Sequence, residues 1–275
     1  MALPAVMTPL ERAWHYTLWA ICGLVFLFLV VPILVVMPLS FNAEPFFTYP
    51  MPGYSLRWYQ EIFFAPGWRR AAENSMIIAV ATTVLATALG TLAALGLNHA
   101  EFPLKQAVVG FLISPLIVPI VIAAIGMFFF FARLDLAYTI PGIVLAHTAL
   151  AAPFVVILVS ATLAGFDKNH TRAGASLGAN PVQVFRRVTM PLIMPGIASG
   201  AVLAFVTSFD EVVVVLFLAG PEQHTLTREM WKGVREQINP AILALCCLLV
   251  VVSLILLVSM EALRRRSQRL RGLKP

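Results

Sequence analysis

The sequence predicts an all-α, polytopic membrane protein, and three observations carry that prediction. Of its 275 residues, 60% are hydrophobic and only 12% charged, more apolar surface than a water-soluble domain of this size can hide. The apolar residues gather into six runs, roughly 17–40, 75–97, 107–132, 140–164, 196–219 and 241–260. Each is near the about 20 helical residues that cross a hydrocarbon core. Every Lys and Arg lies outside those runs. The chain 1–275 therefore reads as a single transmembrane domain, with a core over about 73–262, a cytoplasmic loop over about 165–193 and a basic tail over 263–275.

The first run is about twice as long as the apolar segment of a signal peptide, and it carries Pro32 and Pro38 where a cleavage context would form. It predicts an uncleaved helix. Orientation follows from positive charge. With the N-terminus in the cytoplasm, twelve Lys and Arg residues fall inside and seven outside. Most of the bias comes from the loop between the fourth and fifth runs (Lys168, Arg172, Arg186, Arg187) and from the tail, where six of the nineteen basic residues occupy the last dozen positions. Both termini are expected inside. A formal charge of +6 placed this way suits an anionic membrane surface and not a nucleic acid. Cys22, Cys246 and Cys247 all sit within apolar runs and predict neither a disulfide framework nor a metal site.

In the second run Ala86, Gly90 and Ala94 form a stripe of small residues, as Gly196, Gly200 and Ala204 do in the fifth. Such stripes let membrane helices approach closely. His147, in the middle of the fourth run, is expected to make an interhelical hydrogen bond rather than to ligate anything. Between the first two runs, Tyr54, Trp58 and Tyr59 are aromatics of the kind that anchor at a membrane interface.

About thirty residues, 165–194, separate the fourth run from the fifth on the cytoplasmic side. Asp167 or Asn169 can cap a short helix through 173–177, and Gly178 suits the left-handed stop after it. Asn180 then caps a second helix, with Pro181 at its first position and Gln183 three residues after the cap. Met190-Pro191 and Pro195 are expected to end that helix. The pair has one apolar flank (Leu177, Val184, Val188) and one basic flank, fit for a membrane surface or for a partner's groove.

The fifth run carries Ser208-Phe209-Asp210-Glu211. A continuous helix would place Asp210 about 21 Å from its cytoplasmic end. Two carboxylates there cost several kcal/mol unless they face water, a cation or a partner. With Thr207 they fall within an arc of about 100°, leaving residues 212–215 to lipid or other helices. Either they bond to a neighbouring helix or subunit, or they line a solute path. The candidate path comprises Thr207, Ser208, Asp210 and Glu211, with Trp58 from the outer segment.

Residues 172–191 resemble the EAA loop of ABC-importer permeases: a small-residue run (Ala173, Gly174, Ala175), then Gly178, then Val188-x-x-Pro191. Arg172 stands where that motif usually has glutamate. The resemblance extends over nearly the whole chain. Ser55-Leu56-Arg57-Trp58-Tyr59, Gly220-Pro221-Glu222 and Ile238-Asn239-Pro240 are similar to stretches of spermidine/putrescine-type permeases. One departure is Ser114-Pro115-Leu116, where those permeases tend to carry an acid after the Ser-Pro.

What the resemblance implies is a transport subunit of a bacterial inner membrane with no enzymatic site of its own. It would work with two ATP-binding subunits at the cytoplasmic face, which hold the ATP and Mg, a second similar permease subunit, and a periplasmic substrate-binding protein. The implied ATPase-coupling residues are Arg172, Ala173, Gly174, Ala175, Leu177, Gly178, Ala179, Asn180, Pro181, Phe185 and Pro191. Polyamines are the leading implied solute, with 4-aminobutyrate, opines or amino acids as alternatives.

Two rival classes are weighed on the same residues. Gly174-Ala175-Ser176-Leu177-Gly178 matches the nucleophile elbow of serine hydrolases, but no strand pattern precedes it, so Ser176 is not expected to be catalytic. No Gly-Lys dipeptide occurs, so the chain offers no phosphate-binding P-loop. An ATP-independent carrier usually shows inverted repeats, and none is evident.

Overall fold

The computed structural model describes residues 8–99, 102–167, 169–236 and 240–270; Lys168, Ile238, Asn239, Arg271 and Lys274 lie outside them. Helices account for most of the described chain. In order they are α1 (Pro9–Leu39), α2 (Arg57–Phe64), α3 (Pro66–His99), α4 (Lys105–Ile113), α5 (Ile120–Ala132), α6 (Ile140–Ala164), α7 (Asn169–Ser176), α8 (Pro181–Val184), α9 (Met190–Asp210), α10 (Val213–Leu218), α11 (Leu226–Glu236) and α12 (Pro240–Leu270). Among the described residues, four helices are long and apolar enough to cross a membrane, or five if one bent pair counts as a crossing.

The chain divides into two compact units, 66–232 and 1–65 with 233–275. The first is built on α3, α6 and α9. Val155 of α6 sits at their meeting point: a Cβ on Gly90 of α3 would come within 2.6 Å of its Cβ, and one on Gly200 of α9 within 3.1 Å of its Cα. Gly196 meets Thr162 in the same way, one turn along. Both small-residue stripes seen in the sequence therefore face α6, and Ala86, Ala94 and Ala204 are fully buried beside them. Toward the other end, Ile78, Ala124, Phe131, Ile143, Val144 and Leu150 enclose Val214, Val215 and Leu218 of α10 in a second apolar cluster. The Tyr138 amide donates to the Leu218 carbonyl at 2.8 Å and ties the end of α10 to the start of α6.

In the second unit α2 packs on α12. Trp58 is buried and its Nε1 donates to the Asn42 carbonyl at 2.6 Å. Tyr59 shares a 2.7 Å hydrogen bond with Ser40, and its ring lies 5.1 Å from that of Phe41. No residue of α1 is buried, although this is the most apolar of the long helices. Pro32 and Pro38 lie within it, as membrane helices tolerate.

Three expectations from the sequence are corrected. The apolar run 107–132 is not one straight helix: Ser114–Leu116 forms a 3-10 turn, and the two halves meet at 100°. Pro115 and Pro119 bracket that corner and supply no amide to carry an α-helix through it. The second loop helix does not stop at Met190-Pro191 or at Pro195. It widens into a π turn over Phe185–Thr189, in which the Met190 amide reaches the Phe185 carbonyl, and continues as α9. The wider turn gives the Pro191 ring room against the preceding carbonyls. Finally, the run 196–219 breaks at Glu211, whose backbone is extended (φ −72, ψ 119). The sixth run becomes α12, apolar over Pro240–Ile255 and helical as far as Leu270.

Replacing Gly90 with leucine should lower the thermal stability of the purified chain by about 1–3 kcal/mol, because Val155 and the α6 backbone leave no room for a side chain. Gly96→Leu, on the same helix with nothing within 4 Å of its added Cβ, should leave the melting temperature in detergent near that of the wild type.

Candidate functional site

The two regions singled out from sequence lie at opposite ends of one helix. From Pro181 the chain runs helically for 30 residues to Asp210, about 45 Å at 1.5 Å per residue. The loop pair is at its start and the acid pair at its finish.

At the finish, the helix ends on an exposed carboxylate. Asp210 is the last residue of α9, and its carboxylate has no hydrogen-bond partner among the described residues. A helix C-terminus carries unpaired carbonyls and partial negative charge, so Asp210 adds charge of the same sign to that end. Glu211 is used differently. Its Oε1 accepts the Val214 amide at 2.9 Å, satisfying the first turn of α10, and its carbonyl accepts the Thr227 hydroxyl at 3.2 Å. It is half-buried, whereas Asp210 faces out.

Ser208 is buried, and its hydroxyl pairs with His147 Nδ1 at 2.9 Å across α6 and α9. His147 is an interhelical hydrogen bonder at Nδ1, as its position suggested, while its Nε2 has no partner among the described residues. Thr207 is half-buried. Val214 and Val215 meet helices rather than lipid. Of the five candidate path residues, Asp210 and Glu211 flank the break, Thr207 adjoins it, and Ser208 is engaged inside the bundle. Trp58 is a packing residue of the other unit whose one polar atom is already bonded.

Above the break, the segment after α10 is pinned by residues the sequence did not single out. Asn74 Nδ2 donates to the carbonyls of Glu222 (2.9 Å) and His224 (3.0 Å), and Ser75 Oγ accepts the Leu226 amide at 2.8 Å. Arg228 donates to the carbonyls of Ala219 (2.7 Å) and Gly220 (3.1 Å), and burial pulls its guanidinium below the ordinary arginine range while Glu229 opposes that shift. Arg70 pairs with Glu222, and His224 with Glu229. Asn74-Ser75 at the start of an apolar run was the available signal.

At the loop, Asp167 Oδ1 accepts the Asn169 amide at 2.9 Å and starts α7. Gly178 closes α7 at φ +81, where the amides of Gly178 and Ala179 bond back to Ala175 and Gly174. That is the paired closure which favours glycine at the turn. Asn180 and Gln183 then cap each other's backbone at 2.9 and 3.0 Å to begin α8. Gly174 lies against Val184 and Val188, so the two short helices pack on each other. Leu177 projects at the tip, 88% exposed. Arg172, Ala173, Ala175 and Pro181 are exposed, and Ala179 and Phe185 half-buried.

Comparison with known proteins gives this arrangement a context. Residues 86–269 match the profile of the binding-protein-dependent transport system inner membrane component. The chain belongs to that family. This inner-membrane component is 30% identical over 88% of its length to the spermidine/putrescine transport system permease protein PotC of Escherichia coli, covering 91% of it. It is 34% identical over 90% of its length to the putrescine transport system permease protein PotI of the same organism, covering 88%. A bacterial ABC transporter involved in the import of the acidic polysaccharide alginate shares the fold, with a TM-score of 0.77, 14% identity, and coverage of 94% of this chain and 99% of that one. The protein is thus a permease subunit of a binding-protein-dependent ABC importer, homologous to polyamine permeases.

Ser208→Ala in this permease should destabilise it by about 1–3 kcal/mol, because the buried His147 ring loses its one partner. Ser208→Thr, which keeps the hydroxyl, should recover part of that loss; thermal unfolding in detergent reads both.

Proposed function

We propose that the permease imports a polyamine-type cation and that Asp210, at the break between α9 and α10, receives its ammonium group. The observation that carries this reading is the exposed, unpartnered carboxylate at the C-terminal end of a membrane helix, where the helix's own carbonyls reinforce its attraction for a cation. Homology to two polyamine permeases supports the choice of solute. Glu211 acts beside Asp210 while holding the first turn of α10, and Thr207 lines the approach.

In the proposed topology six crossings place both termini and the α7–α8 pair in the cytoplasm. There the pair docks on ATP-binding subunits, which supply the nucleotide site and Mg that this chain does not. A second, similar permease completes the pathway, and a periplasmic binding protein delivers the solute. Closure of the ATPase subunits moves the loop, α9 carries the displacement along its length, and the break beside Asp210 changes shape. Ser176 has no part in this: its hydroxyl bonds to the Arg172 carbonyl of its own helix at 3.0 Å.

Asp210→Asn should reduce uptake of radiolabelled putrescine and spermidine at least about tenfold, the loss expected for removing one charge-assisted contact. Glu211→Gln keeps an oxygen for the Val214 amide and should fall less far. Wild-type uptake of every cationic candidate by Asp210→Asn would remove Asp210 from the path. For coupling, Gly178→Val places a β-branched residue at φ +81 and should uncouple ATP hydrolysis from transport while the membrane bundle stays folded.

A further inference from the structure

The outer face of α8 forms a groove of about 450 Å³ lined by Asn180, Val182, Gln183, Arg186 and Arg187. Its polar atoms are one-sided. The capping interaction engages the carbonyl oxygens of both amide side chains, Asn180 Oδ1 on the Gln183 amide and Gln183 Oε1 on the Asn180 amide. What remains to face outward is the two side-chain NH2 groups and two guanidiniums, all of them donors. No Asp or Glu occurs anywhere in residues 169–209, and Asp167, the nearest acid, is occupied with the start of α7. Three arginines (Arg172, Arg186, Arg187) therefore stand exposed on this loop, whose one carboxylate, Asp167, is engaged with Asn169.

Resting on the docking role proposed above, we infer that the cognate ATP-binding subunit presents a cluster of carboxylates that fills this donor groove, beside an apolar hollow for the exposed Leu177 and Val182. A surface offering only donors needs acceptors, and guanidiniums pair best with carboxylates in the two-pronged geometry. A protein fits better than the membrane surface because of length. The helix from Pro181 to Asp210 is about 45 Å long against a hydrocarbon core of about 30 Å, so the groove at its Pro181 end projects well past the lipid. The loop thus carries a charge code for its partner, and an ATPase subunit with a neutral or basic face at this position should not assemble with it.

The test uses the assembled permease and ATPase subunits purified together in detergent. Arg186→Glu with Arg187→Glu should weaken ATPase association about tenfold or more at low salt, and Arg186→Gln with Arg187→Gln should weaken it less. Reversal of one partner carboxylate to Arg should restore binding to the charge-reversed permease. Wild-type association should itself fall as salt rises. If the Glu variant assembles normally while Gly178→Val uncouples transport, the acidic complement is wrong and the docking role stands. If both variants couple normally, both readings fail. If the Glu variant assembles normally but the loop's binding to phosphatidylglycerol vesicles is lost, the groove serves lipid and the inference is overturned.

Discussion

The close approach of α9 to α6 is the constraint on which the packing of the 66–232 unit rests. Gly90 and Gly200 remove the side chains that would otherwise hold α3 and α9 away from Val155, and Gly196 does the same at Thr162. In lipid there is no hydrophobic gain from bringing two apolar helices together, so association rests on close packing and on polar contacts across the interface. The glycines supply the first and the His147–Ser208 pair the second. Together they clamp one long helix along a second at several levels, and its two ends carry the capped loop and the acid pair.

The two ends differ in how they are finished. At the loop end, reciprocal capping by Asn180 and Gln183 satisfies the first amides, and the π turn takes up the strain of Pro191 without interrupting the helix. At the membrane end nothing extends α9 past Asp210. Its last carbonyls are left to whatever occupies the break, and Glu211 turns away to satisfy α10. The adjacent acids therefore differ: Glu211 secures the fold of the break, while the carboxylate of Asp210 stays exposed, which is what the proposed role requires. Asn74, Ser75 and Arg228 hold the segment beyond α10 by its backbone, so that the break lies between two anchored pieces.

Much of this was legible in the sequence, for identifiable reasons. Apolar run length reports helices in lipid directly, and the Gly178 turn and Asn180 cap are read from residue types that few other local structures need. The small-residue stripes indicated close packing but not that both would share Val155, since periodicity names a face and not its partner. The interruptions were harder to see. Proline is an unreliable stop in membrane helices, where neighbours re-satisfy the freed backbone groups, so Pro191 and Pro195 pass within a continuous helix while Pro115 and Pro119 mark a corner. The break at Glu211 had no punctuation at all. It is followed by four valines, whose apolar character sustains the appearance of a span while their β-branching does little for a helix. The burial of Trp58 was not legible, because an aromatic at a membrane interface and one buried under a loop look alike in sequence.

The proposed mechanism is mechanical: an unbroken helix joins the α7–α8 loop to the acid pair, and the break at its end is the part that deforms. Spin labels at Val182 and Val206, both exposed, span the helix, and labels at Val206 and Leu216 span the break. In the assembled transporter, the first distance should stay at about 36 Å with and without trapped ATP, and the second should shift between the two states. A first distance that changes or splits while the second stays fixed would contradict it.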